Sequence, residues 1–208
     1  MVRPRTRVTP EQSSCLIPTS QTGRPQSSIT TIFHCARLVR TSGSSSPGVA
    51  TLIAVPCNTV HYFINQFIDE VPVPFVNIVD ATLDAAQKAS PEGAWLTCTR
   101  GTVETGLYQR EAEKRHYTIL TPDDDGLDQL MTIVGEVKAG RLSDAGIHYS
   151  EIAEQLMSMH ELPLMTACTE LPLAFEASGL SPSIQISSLT ALAEASMSEI
   201  NKLEPALS

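Results

Sequence analysis

From Gly48 onward, short apolar runs alternate with stretches whose apolar residues recur at helical spacing. VATLIAV at 49–55 is apolar and partly β-branched, and it predicts a buried strand. Across 59–70, Val60, Phe63, Ile64, Phe67 and Ile68 recur as one helix face. VPVPFVNIV at 71–79 reads as a strand entered through prolines. A helix over 80–89, opened by Asp80, runs to the turn signal SPEG at 90–93. AWLTC at 94–98 predicts the next strand; TRGT follows, then a polar helix to Arg115. After the strand HYTILTP at 116–122, DDDGLDQL opens a helix carrying Leu127, Leu130, Met131, Val134 and Val137. Its acids stand at its start, where the helix dipole favours them. A helix over 143–159, the strand LPLMTAC at 162–168 and the segment TELPLAFEA come next. A short strand, IQIS at 184–187, precedes a last helix over 189–203. That helix places Leu189, Leu192, Ala193, Met197 and Ile200 on one side.

Strands alternating with helices predict an α/β fold with mostly parallel sheets flanked by helices. In such sheets ligands bind beyond the carboxyl ends of the strands. Three polar motifs occupy that position: CNT at 57–59, TRGT at 99–102 and CTE at 168–170. Cys57 can be a buried small hydrophobe, a metal ligand or a working thiolate. The pattern of strand, Cys, polar pair and helix recurs at Cys168, and this recurrence favours chemistry for both thiols. Each precedes a predicted helix start, where free N–H groups and the dipole lower a thiol pKa from ~8.5. The same N–H groups, with the hydroxyls of Thr59 and Thr169, suit a bound carboxylate. Cys98 lies within an apolar strand and reads as core. His61, one turn into a helix, reads as a local hydrogen-bonding residue. Asp123–Asp125 reads as a solvated helix start, without the spacing of a calcium loop.

Composition narrows the field. The chain has 208 residues, 42% of them hydrophobic, so a core can form. No apolar run reaches a membrane-spanning length. The net charge of −9 argues against a nucleic-acid partner, which needs a basic face. The five Cys are odd in number and form no CxxC or Cys/His cluster, which disfavours a zinc site and a disulfide scaffold. A reducing, cytoplasmic setting is expected. The charge is uneven: residues 1–40 hold six Arg, no Lys and one acid, Glu11. The first 48 residues are crowded with Ser, Thr and Pro and show no sustained period.

PCNTVH, TRGTVETGLYQ and CTELPLAF together resemble the aspartate/glutamate racemase family, on its aspartate racemase side. The resemblance runs from Gly48 to the C-terminus. It implies two pseudo-symmetric α/β domains with the active site in the cleft between them. On this chain those would be 48–93 plus 187–208, a first domain left incomplete, and 94–186, with 1–47 as an aberrant segment. It further implies an enzyme that works without pyridoxal phosphate or metal on a small-molecule amino acid, as a homodimer. One cysteine removes the α-proton as thiolate; the other, as thiol, delivers a proton to the opposite face. Carried over, these are Cys57 and Cys168, with Asn58, Thr59, Thr99, Thr102, Thr169 and Glu170 binding substrate. The chemistry is coherent, because a thiol titrates near enough to working pH to serve as acid or base. Aimed N–H and hydroxyl donors would stabilise the enolate-like carbanion. Two rivals remain: a related maleate isomerase or malonate decarboxylase using strand-end cysteines, and a truncated, catalytically silent product.

The beginning departs from the family, whose members open with a strand and a Gly-rich loop. Residues 1–48 fit an Arg-rich, Ser-rich, acid-poor transit peptide. They also fit a frame error. Read across codon boundaries, SQTGRPQS at 20–27 can encode V-P-D-R-T-A-A-I, which resembles the PDRT segment of such racemases. We expect the frame error. Ser187 stands where the family often has Asp, and Ala167 where Gly is usual.

Overall fold

Two sheets carry the strands, and the polar motifs lie just past their carboxyl ends. A computed structural model describes residues 52–203 and the strand Arg37–Leu38. All belong to one unit, Ala36–Ser208. The expectations for the rest of the first 51 residues, including the shifted-frame peptide, Cys15 and Cys35, lie outside the described residues.

The first sheet has the order β1 (Arg37–Leu38), β2 (Ile53–Ala54), β3 (Phe75–Val76). β1 runs antiparallel to β2, and β2 parallel to β3. Arg37–Leu38 thus pairs into a sheet, although it falls in the segment that composition sets apart. The second sheet has the order β5 (Ile119–Leu120), β4 (Ala94–Cys98), β6 (Leu164–Ala167), β7 (Gln185–Ser187), all parallel. The helices are α1 (His61–Ile64), α2 (Ile78–Ala89), α3 (Arg100–Glu104), α4 (Leu107–Lys114) and α5 (Asp124–Lys138). They continue with α6 (Leu142–Met159), α7 (Leu171–Ser178) and α8 (Ser188–Leu203).

Every residue of β4 and β6 is buried, as expected for parallel strands covered on both faces. Strand alternation sorts their side chains into two cores. Ala94, Leu96, Cys98, Met165 and Ala167 pack with residues of α2, α4 and α8. Trp95, Leu164 and Cys168 pack with residues of α5, α6 and α7. Cys98 is core, as its apolar strand predicts. α8 lies against α2 and β3 as well as against β6 and β7, so the C-terminal helix ties the two sheets together.

Several elements differ from their predicted form; the strand expected over 116–122 pairs only at Ile119–Leu120, and the polar helix expected to Arg115 breaks at Gly106, in the left-handed region, into α3 and α4. The helix expected over 59–70 is reduced to α1 and a single 3₁₀ turn, Ile68–Glu70, and Phe63 is 49% exposed. Its aromatic and β-branched residues are weak helix formers, and too few of them find a core to override that. The 71–79 run pairs only at Phe75–Val76. Pro72 and Pro74 bring no N–H to a ladder, and helix α2 begins two residues ahead of Asp80 because the Asn77 side chain caps the Val79 N–H. In α8 the buried face is Ser188, Ala191, Leu192, Ser196 and Ile200, while Ala193 and Met197 face outward. Small residues share this face with Leu192 and Ile200.

Candidate active site

Strand register sets the frame of the site. Cys98 on β4 pairs with Ala167 on β6 as the last rung of the ladder. Thr99 and Cys168 therefore leave the sheet side by side. The third motif, CNT, follows β2 and meets the TRGT turn through hydroxyls. Thr59 Oγ1 lies 2.7 Å from Thr102 Oγ1 and 3.2 Å from Thr99 Oγ1, and Thr99 and Thr102 are 3.0 Å apart. Three threonines from two turns thus close a triangle of donors. Thr102 is fully buried, while Thr59 and Thr99 are partly exposed.

Cys57 is partly exposed and sits in a tight turn, its N–H donating to the Val55 carbonyl at 2.9 Å. His61 is fully buried and lies 2.7 Å from the Cys57 carbonyl through Nδ1. A carbonyl only accepts, so Nδ1 carries the proton and Nε2 is left to accept the Ile78 N–H at 3.4 Å. Burial lowers its pKa to about 4, outweighing the Cys57 carbonyl and Asp80. His61 is thus a neutral brace between the CNT turn and α2, in keeping with its reading as a local hydrogen-bonding residue.

Asn58 is only 3% exposed. Its Oδ1 accepts from Tyr108 Oη at 2.6 Å, and its Nδ2 donates to Ser188 Oγ at 3.1 Å. Both ends of its amide are thus engaged by its own protein.

At the other end, the Cys168 thiol donates to Glu170 Oε2 at 3.1 Å, and Thr169 Oγ1 donates to the same oxygen at 2.6 Å. Lys138, at the end of α5, brings its ammonium to 3.7 Å from Glu170 Oε1. Burial, aided by the hydrogen bond and charge of Glu170, pushes the Cys168 pKa up to about 12. Cys168 therefore rests as a thiol, the form that delivers a proton. Burial alone would raise the Glu170 pKa, but Thr169, Cys168 and Lys138 together hold it below the usual carboxylate range. Ser187 Oγ accepts the Thr190 N–H at 3.3 Å, so it caps the start of α8. Among the described residues no group of three or more His, Cys, Asp or Glu side chains is placed to hold a metal ion. No described helix is long and apolar enough to cross a membrane.

The Asp/Glu/Hydantoin racemase family model matches residues 8–195. The chain belongs to this family. The match begins well ahead of Gly48, where the motif resemblance starts. Among solved structures, the chain is similar to the Picrophilus torridus aspartate racemase, at 26% identity and a TM-score of 0.56, covering 70% of this chain and 60% of that one. It is also similar to a putative Asp/Glu racemase from Yersinia pestis, at 24% identity and a TM-score of 0.60, covering 70% of this chain and 64% of that one. Both likenesses span less than two thirds of the other protein's length. A third relative, an uncharacterized protein from Pectobacterium carotovorum, is 29% identical over 101 residues, covering 49% of this chain and 67% of its own. For a racemase-family chain, the sequence motifs left three contributors unassigned: Tyr108, Ser188 and Lys138. Tyr108 stands inside the TRGTVETGLYQ motif, and Ser188 directly follows Ser187, the position where the family often has Asp. Lys138 had no local signal, since only the packing of α5 brings it to Glu170.

Proposed function

We propose that the chain racemises an acidic amino acid, aspartate in preference to glutamate, without a cofactor, by passing the α-proton between Cys57 and Cys168. The observation that carries this reading is convergence. The threonine triangle joins the CNT turn to the TRGT turn, and the β4–β6 register sets Cys168 beside Thr99. Cys168, resting as thiol, serves as acid, and Cys57 as base; the roles exchange for the other enantiomer. The hydroxyls of Thr59, Thr99, Thr102 and Thr169 would hold the substrate carboxylates. Asn58 would offer its remaining amide hydrogen, and Glu170 would face the ammonium group. The chain is strongly acidic overall, so attraction of a dianion must be local, and Lys138 supplies positive charge at this end. The lobes are 48–93 with 187–208, and 94–186. The protein works as a homodimer in the cytoplasm, a setting its odd number of cysteines suits.

One observation favours a second reading, a racemase-like chain without turnover. It spans only 60% and 64% of the two solved racemase structures. Incubation with L-aspartate and L-glutamate, followed by chiral chromatography, separates the two. The proposal predicts D-aspartate from the wild type and a loss of about 10²–10⁴-fold in Cys57→Ala and in Cys168→Ala. Soluble wild-type protein that forms no D-product favours the second reading. Turnover of maleate or a malonyl group in its place would move the chemistry to a related enzyme. Sedimentation velocity tests the dimer.

A further inference from the structure

We infer that Tyr108 and Ser188 are positioning residues that hold the Cys57 turn by clamping Asn58 from both sides. This rests on the racemase reading only for what Cys57 does; the clamp itself is a matter of geometry.

Asn58 is the residue after Cys57, and it is buried where water cannot replace a lost partner. Tyr108 comes from α4, Ser188 from the first turn of α8, and neither is near Asn58 in sequence. The protons have one consistent direction. Ser188 Oγ donates to the Thr166 carbonyl at 3.0 Å, so toward Asn58 it can only accept. The Asn58 amide nitrogen must therefore face Ser188, and its oxygen must face Tyr108, whose hydroxyl donates. Thr82 Oγ1, 3.3 Å from the same phenol, spends its own proton on the Ile78 carbonyl at 2.6 Å. The phenol's proton thus goes to Asn58, at the shorter distance of 2.6 Å. Burial keeps Tyr108 neutral and able to donate. The amide cannot flip without breaking both bonds. His61 holds the Cys57 carbonyl, in the peptide group that leads into Asn58, and on the other side of the thiol the Cys57 N–H donates to the Val55 carbonyl at 2.9 Å. The Cys57 turn is fixed at both of its flanking peptide groups, and Ser188 ties it to the end of β6, one residue before Ala167 and two before Cys168.

The clamp makes a prediction that fold stabilisation alone does not. Losing one buried hydrogen bond next to Cys57 should loosen that turn and leave the Cys168 turn as it was. The test uses the full chain, with iodoacetamide labelling followed residue by residue by mass spectrometry. Tyr108→Phe and Ser188→Ala are each expected to alkylate Cys57 about fivefold faster, with Cys168 unchanged. Ser188→Thr, which keeps the hydroxyl, should return the Cys57 rate to that of the wild type. Tyr149→Phe is the control: Tyr149 is equally buried, but its hydroxyl meets Thr97 Oγ1 at 2.9 Å in the other core. It should leave Cys57 unchanged. In turnover, racemisation has an equilibrium constant of unity, so kcat/KM is the same in both directions for every variant. The α-deuterium isotope effect need not be. Tyr108→Phe should make it unequal between the two enantiomers, in the same sense as Cys57→Ser. Equal acceleration at both cysteines, no acceleration, or the same Cys57 response in Tyr149→Phe would overturn the clamp. Absence of any wild-type turnover would count against the racemase reading, while the labelling would still decide the clamp. If Tyr108→Phe fails to fold, the Ser188→Ala and Ser188→Thr pair decides it.

Discussion

With both ring nitrogens engaged inside the core, His61 titrates far below an ordinary imidazole, at about 4. The unfolded chain takes up that proton near pH 6.5, while the folded chain refuses it until near pH 4. His61 therefore contributes stability that is fully present above pH 6.5 and is lost as pH falls toward 4, about 3 kcal/mol in all. Urea midpoints at pH 7.5 and pH 5 should show this fall, and His61→Gln should flatten it. Glu170 acts in the opposite sense on its neighbour. Its hydrogen bond and charge add to the burial that keeps Cys168 protonated. Glu170→Gln should lower the Cys168 pKa, and iodoacetamide labelling at pH 8 should then be faster at Cys168 than in the wild type. An unchanged rate would show that burial alone sets the thiol. Both residues show why the site was only partly readable from sequence. The thiols and threonines announce themselves by repetition after strands. Whether an amide such as Asn58 faces substrate or its own protein depends on Tyr108 and Ser188, which lie 50 and 130 residues away.

Among the elements, the contact between α6 and α7 is the tightest test of the packing. A Cβ built on Gly146 would lie 2.5 Å from the Ala177 carbonyl oxygen, a backbone atom that cannot swing aside. Gly146→Ala should therefore destabilise the fold by about 1–3 kcal/mol, read from the shift in urea midpoint. At the start of α2, Asn77→Ala removes the side chain that caps the Val79 N–H and should cost about 1 kcal/mol. Elements with a long, strong pattern were legible in the sequence: β4 spans Ala94–Cys98 as its apolar run predicts, α5 opens within its acidic run, and α6 keeps close to its predicted bounds. Misreadings have both local and tertiary causes. Val71–Pro74 has strand-like composition but two prolines that cannot join a ladder. α8 buries Ser188, Ala191 and Ser196 along with Leu192 and Ile200, and leaves Met197 57% exposed.

For the whole molecule, hydroxyl contacts join the CNT turn to the TRGT turn, the β4–β6 register sets CTE beside TRGT, and under the proposed reading these strand ends handle the α-proton. The account's central claim is that two thiols, not one, handle the α-proton. The direct test is to convert L-aspartate in D2O, stop at early turnover, separate the enantiomers and measure α-deuterium in each. Two bases on opposite faces predict that the D-aspartate formed carries solvent deuterium while the remaining L-aspartate keeps its protium. Deuterium entering both enantiomers at equal rates, or product that retains protium, would point to a single base and contradict the assignment of Cys57 and Cys168.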